Sequence, residues 1–327
     1  MQKGASVRLK RLLTSREFIL LIALVAASLI VSLFTPVFLK KANILSMLMS
    51  ITVEGMVSVG MVLLLACGLM DLSVGMNMAI TGVVTGLCLN AGVPVVLAIL
   101  IGLFCSLMIG FINGILVAKV GLNSFITTLG MSCALEGLML VLSNGRSVTG
   151  LPKAFNVIGQ GTIPGLGIQY PILVLLVVVV IADYLMRNSR AARQIYYVGS
   201  NEKAAKLNGM SVWKIKTACF CVCGVLSGVA GIMITARFGA ASVTIGADTA
   251  MDTITACIIG GASLNGGKGS VWASVLGALF LAMLSTALNL LSVNIYWQNF
   301  VTGVILVAAI FFDAVSERKK ATGKVAL

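Results

Sequence analysis

The stretch ITVEGMVSVGMVLLLACGL at residues 51–69 decides the fold. It carries a single charge, Glu54. As a helix rising ~1.5 Å per residue it matches the ~30 Å hydrocarbon core of a bilayer. The next stretch, LSVGMNMAITGVVTGLCLN at 72–90, repeats the pattern after only Met70 and Asp71. Two membrane-crossing helices therefore follow one another as a tight hairpin. Asp71 stands at its inner end, placed to cap the third span against the positive end of the helix dipole.

Eight further apolar runs extend outward from this pair, at 18–35, 94–118, 122–142, 170–186, 217–237, 249–262, 271–291 and 296–313. Most are close to the ~20 residues needed to span. The run at 249–262 is short, holds Asp252 and Thr255, and closes on Gly260-Gly261. Composition agrees with the runs: 59% of the 327 residues are hydrophobic and 10% charged, against roughly 25% charged in soluble chains. A surface so poor in charge must face lipid. The expected fold is all-α and polytopic, with about ten transmembrane helices in a single domain over 1–327.

Charge placement orients these spans. Lys3, Arg8, Lys10, Arg11 and Arg16 precede the first run. That run is too long for a signal-peptide core and lacks a small-residue cleavage site, so it reads as an uncleaved first helix. With a cytoplasmic N-terminus and alternating spans, only Lys40, Lys41, Arg146, Lys153 and Arg237 fall outside, of 23 basic residues in all. This is the positive-inside pattern. Dropping the short eighth span would move Lys268 and the basic tail outside, so the count argues for keeping it. Both termini are then cytoplasmic, as segments 1–17 and 314–327. Residues 143–169 form an outer loop rich in Gly and Pro, and 187–216 the longest cytoplasmic loop. A five-plus-five division would make the two halves inverted, a common transporter layout. The net charge of +13 is explained by the membrane, not by nucleic acid.

The chain has no His, which removes His-dependent nucleophilic sites, HExxH zinc sites and histidine relays. All eight Cys lie in apolar runs. Cys219, Cys221 and Cys223 are two apart, so on a helix their thiols cannot converge on one ion. No metal or cofactor is expected.

Within the cytoplasmic loop, residues 199–210 read GSNEKAAKLNGM. Asn201 is a good N-cap and Glu202 suits the positive helix end. Ala204, Ala205 and Leu207 favour helix, and Gly209 supplies a left-handed stop. The residues alone leave two readings open, a docking helix or an ordinary helical connector.

This stretch resembles the cytoplasmic coupling motif of ABC importer permeases, in the branch that carries ribose, galactose, xylose and the autoinducer-2 signal. The basic segment Ser189-Arg190-Ala191-Ala192-Arg193 precedes it, as in the family. A second match is Cys67–Gly75, similar to the family's Gly-x-Asp-Leu-Ser-Val-Gly, with Leu69-Met70 ahead of Asp71 as a small departure. A third is Ile258–Gly269, similar to Gly-Gly-x-Ser-Leu-x-Gly-Gly-x-Gly. The likeness covers about residues 45–313. It implies a multi-pass subunit of a bacterial plasma (inner) membrane, paired with a second permease as homo- or heterodimer. A cytoplasmic ABC ATPase would dock through Asn201, Glu202, Ala204, Ala205 and Gly209. An extracytoplasmic sugar-binding protein would deliver cargo, and the permease itself would do no chemistry. Gly267-Lys268 is no phosphate-binding loop, because that pattern needs Gly at 262 and Ser or Thr at 269. It reads as a glycine-rich inner turn.

Polar groups inside a membrane are costly and ask for a reason. Glu54, Asn77, Asn113, Glu136 and Asp252 are the candidates for a hydroxyl-binding path; the plainer reading is interhelical hydrogen bonding. The same acids would serve an ion- or proton-coupled secondary transporter, the main alternative. An intramembrane acid-pair enzyme is the remaining one.

Overall fold

The computed structural model describes residues 16–323. The basic segment at 1–15 and residues 324–327 lie outside the described residues. The described residues form thirteen α-helices and two isolated bridges, Val148 with Ala241 and Thr162 with Gln169. A helix satisfies its own backbone, which is why apolar runs in lipid fold this way.

Seven helices are long and apolar enough to cross a membrane. They are α1 (Arg16–Phe34), α2 (Lys41–Ala66), α4 (Val95–Ile115, prolonged by a π-helical turn to Val120), α5 (Ser124–Ser143), α7 (Tyr170–Asn188), α10 (Val212–Phe238) and α12 (Val271–Leu290). Three shorter apolar stretches belong to α3 (Val74–Asn90), α11 (Thr249–Ile259) and α13 (Ile295–Gly323). Each of the ten apolar runs overlaps one of these helices. The remaining three are α6 (Lys153–Gln160), in the 143–169 loop, and α8 (Arg190–Ser200) and α9 (Glu202–Leu207), in the 187–216 loop.

Burial sorts these helices more sharply than composition does. The most apolar window of α2 is 83% buried and that of α10 61%, against 17% in α5 and 6% in α1. The two central helices touch through small residues. A Cβ on Gly60 of α2 would sit 2.7 Å from the Cα of Cys223 on α10. Such contacts allow close backbone approach without a hydrophobic drive between helices. The outer helices expose Leu, Ile, Val and Phe instead, as on α1 and α4.

Packing follows a paired pattern. Helix α10 packs against α4 and α3, and α2 against α12 and α11. In turn α3 contacts α4 and α5, and α11 contacts α12 and α13.

The link between α2 and α3 is longer than the two-residue hairpin turn expected. Helix α2 ends at Ala66, and residues 67–73 run irregularly through the interior. Asp71 and Ser73 are almost fully buried. Asp71 accepts the backbone N–H of Ser73 at 2.8 Å and its hydroxyl at 2.6 Å. The Leu72 N–H donates to Thr128 Oγ1 at 3.0 Å. Irregular backbone at this depth is tolerated only where protein satisfies it.

Candidate functional site

Two features stand at opposite ends of α2. Toward its N-terminal end lies an open cleft of about 570 Å³. Helix α2 contributes Ser50 and Glu54, and α11 with its approach contributes Asp248, Asp252 and Thr255. Helix α12 adds Ser285, Thr286 and Asn289, and α13 adds Gln298, Asn299 and Thr302. These positions recur at helical spacing, so each helix turns one polar stripe to the cleft. Gln298 Nε2 donates to Asn289 Oδ1 at 2.9 Å, tying α13 to α12. Glu54 and Asp252 both line this cleft. Among the described residues no Lys or Arg lines the cleft. The lining is acceptor-rich and suits hydroxyl donors.

At the other end three glycine-bearing loops close on one another. The Gly267 N–H donates to the Ala66 carbonyl at 2.8 Å, capping α2. Gly199, at the end of α8, presses on the same carbonyl: a Cβ there would overlap the Ala66 oxygen and lie 2.7 Å from Gly267 N. Gly266 adopts φ +81°, and a Cβ on it would be 2.6 Å from the Gly199 carbonyl and 2.9 Å from Gly68 N. Tyr196 Oη donates to the Gly269 carbonyl at 2.8 Å. The segments 66–68, 196–200 and 266–269 thus form one clasp of backbone contacts.

Beyond the clasp, α9 is capped by Asn201, whose Oδ1 accepts the Ala204 N–H at 3.0 Å. Glu202 pairs within the chain, with Lys206 at 2.7 Å and with Lys216 of α10 at 2.6 Å. These two lysines hold the Glu202 carboxyl below the usual carboxylate range. Ala205 is 3% exposed and packs on the chain's own core. Gly209 holds φ +76°, where a side chain is strained. Leu207 is 90% exposed at the tip.

The residues singled out from sequence therefore separate. Glu54 and Asp252 share the cleft. Asn77 and Asn113 lie inside the bundle and do not line it: Asn77 Nδ2 donates to the Ser106 carbonyl at 3.4 Å, and Asn113 Nδ2 to Ser73 Oγ at 2.9 Å. Glu136 is exposed on α5, away from both features. Of the residues expected to couple to an ATPase, Asn201, Ala204 and Ala205 line a shared surface hollow with Tyr197 and Met210. Sequence reasoning missed Asp248, the polar stripes of α12 and α13, and Leu207. The stripes had a signal, namely Ser, Thr, Asn and Gln recurring at 285, 286, 289, 298, 299 and 302. The eight Cys are free, with Cys67 Sγ 3.7 Å from Cys219 Sγ. Among the described residues no three His, Cys, Asp or Glu side chains group as metal ligands.

Comparison with known proteins adds an independent observation. The family described as the permease component of branched-chain amino acid transport systems matches residues 43–310. The ribose import permease protein of Haemophilus influenzae is 36% identical over 313 residues, covering 94% of this chain and 95% of its own length. An L-arabinose ABC transporter permease protein of Azospirillum brasilense is 34% identical over 294 residues, covering 90% and 86%. The xylose transport system permease protein of Escherichia coli is 30% identical over 368 residues, covering 94% of each. No solved structure matches the chain.

Proposed function

Because this chain belongs to the permease-component family of branched-chain amino acid transport systems, among its sugar ABC transporter members, we propose that it forms the import path for a monosaccharide or sugar-like ligand. In this reading it is driven by a separate cytoplasmic ATPase and supplied by an extracytoplasmic sugar-binding protein. A second permease, identical or related, completes the path over the open cleft. The chain sits in a bacterial plasma membrane with both termini cytoplasmic. The shorter helices α3, α11 and α13 cross as well, giving ten spans. The matched packing of α3 and α4 on α10 and of α11 and α12 on α2 supports an inverted five-plus-five repeat.

One observation carries the coupling part of this reading. The clasp joins the α8–α9 loop to the ends of helices that line the cleft. Ala66 ends α2, which carries Glu54. Gly266–Gly269 lie between α11, which carries Asp252, and α12, which carries Ser285. A helix is stiff, so displacement at Ala66 reaches Glu54, twelve residues or about 18 Å away. Movement of α8 and α9 by a docked ATPase would therefore be felt at the cleft. In the cleft, Glu54 and Asp252 would accept hydrogen bonds from ligand hydroxyls, with the amides and hydroxyls of α12 and α13 completing the set. Asp71, Asn77 and Asn113 hold the bundle. Glu136 meets a path only where a second permease covers α5.

The test is uptake in proteoliposomes holding the permease, its ATPase and the binding protein. ATP-dependent accumulation that is lost in a Glu54→Gln, Asp252→Asn double variant, with normal assembly, supports the reading. Accumulation that survives removal of the ATPase and collapses with a protonophore would mark an ion-coupled carrier instead.

A further inference from the structure

The short helices α3 and α11 meet at their starts. Helix α3 runs parallel to α10 and follows it through small residues. A Cβ on Gly231 of α10 would overlap the Met78 carbonyl oxygen, and one on Gly82 of α3 would overlap Thr235 Oγ1. Gly231 lies seven residues before the end of α10 at Phe238, and Gly75 three before Met78. At ~1.5 Å per residue, Gly75 sits ~15 Å from the level of Phe238, about half the depth of a bilayer core.

Residues 239–248 return from the end of α10 to this depth as a strap. The strap starts at Gly239, whose left-handed φ of +65° ends α10. It is tied to the 143–169 loop at Ala241 and Val148, where the N–H of each donates to the carbonyl of the other at 2.9 Å. It finishes against α3. A Cβ on Gly75 would overlap the Gly246 carbonyl oxygen, and a Cβ on Gly246 would overlap that of Gly75. Gly246 also holds φ +95°, where a side chain is strained. Each backbone thus fills the space that a side chain on the other would need. Asp248 follows two residues later, and α11 starts at Thr249. The eleven residues of α11 rise ~16 Å, the remaining half of the core. Asp248, Met251, Asp252 and Thr255 line the cleft, and their spacing is one face of a helix. Among the described residues Asp248 is exposed and forms no ion pair.

We propose that Gly75 and Gly246 are positioning residues for the cleft. Their contact fixes where α11 begins, and so which face of it meets Glu54; Asp248 is then the third cargo-facing carboxylate. The role of Asp248 rests on the reading of the cleft as the import path, and the contact itself does not. A methyl group at either glycine separates the strap from α3. Asp248 is displaced most, because it lies two residues from the contact.

The test reads geometry and transport separately. Asp248→Cys, Asp252→Cys, Ser285→Cys and Thr253→Cys are made singly in the full-length permease, held in lipid nanodiscs without ATPase or cargo. Reaction with a charged methanethiosulfonate is followed by intact mass, above the background of the eight native thiols. Ser285 lines the cleft from α12, and Thr253 is fully buried. Asp248→Cys and Asp252→Cys should react well ahead of Thr253→Cys. Adding Gly75→Ala should change the rate at Asp248→Cys relative to Ser285→Cys by about tenfold in either direction, the equivalent of ~1.4 kcal/mol and within the range for overpacking. Gly246→Ala meets the same contact from the strap and should act alike. An unchanged ratio overturns the proposal. So does an equal change at both positions, which marks a disturbance of the whole bundle. Where neither glycine variant elutes as a single species, Asp248→Cys reacting no faster than Thr253→Cys overturns it instead. In the assembled importer, Asp248→Asn should lower ATP-dependent uptake roughly tenfold, as for a lost hydrogen bond to a charged group, with ATPase docking unchanged. Unchanged uptake would overturn the role of Asp248. Were the unsubstituted assembly to accumulate nothing, the import reading would fall, and the thiol ratios alone would decide the contact.

Discussion

Helices α2 and α5 look alike as sequence and differ in everything else. Each is an apolar span with one carboxylate, Glu54 in α2 and Glu136 in α5. Helix α2 is the most buried span of the bundle, and its Glu54 faces a polar cleft shared with Asp252. Helix α5 lies at the edge, and its Glu136 is exposed. An acid in an apolar run thus joins a polar site only when packing brings other polar groups to it. The same helix α2 also ends in the glycine clasp, so one rigid element connects the polar cleft to the clasped loops.

Substitutions can break this contrast in graded steps. The largest effect belongs to the clasp. Gly199→Ala drives a methyl group into the Ala66 carbonyl and against Gly267 N, all backbone that cannot yield cheaply. We expect transport to fall below detection while ATP hydrolysis persists, measured as sugar taken up per ATP consumed. Tyr196→Phe removes only the bond to the Gly269 carbonyl and should lower the same ratio without loss of assembly.

Next come the cleft acids. Hydrogen bonds to charged groups contribute ~1.5–3 kcal/mol, so Glu54→Gln or Asp252→Asn should each weaken cargo uptake roughly tenfold or more, with ATPase docking unchanged in a pull-down. Smaller still is the tip of α9. Leu207→Ala removes a side chain that touches little of its own protein and should reduce ATPase capture by several-fold, at about 25 cal/mol per Å² of apolar surface. Glu202 should matter less for docking, because it is bound to Lys206 and Lys216 of its own chain. With its carboxyl held low, the stabilisation from these pairs is present above the ordinary carboxylate range and is lost as pH falls through the lowered value. Lowering the pH from 7 to 6 should leave docking unchanged. The smallest effect is expected at Glu136→Gln, which should leave uptake by a homodimer near normal. A large loss there would place α5 in the path and erase the contrast with α2.

Much of this was legible in advance for physical reasons. Runs of about twenty apolar residues have one low-energy state in lipid, so helix positions follow from composition. Local chemistry predicted the Asn201 cap and the left-handed Gly209, because both depend on a few neighbouring backbone atoms. The failures concern contacts between distant segments. Met70-Asp71 read as the tight turn of a hairpin, but Thr128 and Asn113, far along the chain, satisfy that segment inside the bundle. Ala205 was expected among the docking residues, and only the fold shows that it is 3% exposed and packed on the chain's own core.

The amino-acid sequence by itself determined that this protein is a helical membrane protein. It also carried the motifs at Cys67–Gly75, Gly199–Met210 and Ile258–Gly269 that mark its family. Only the tertiary structure decided that these three motifs meet in one clasp, and that Glu54 and Asp252 share a cleft from which Glu136 is excluded. The reason is that hydrophobicity acts residue by residue and can be summed along a chain. Close packing acts between surfaces, and here it turns on which glycine lies against which carbonyl.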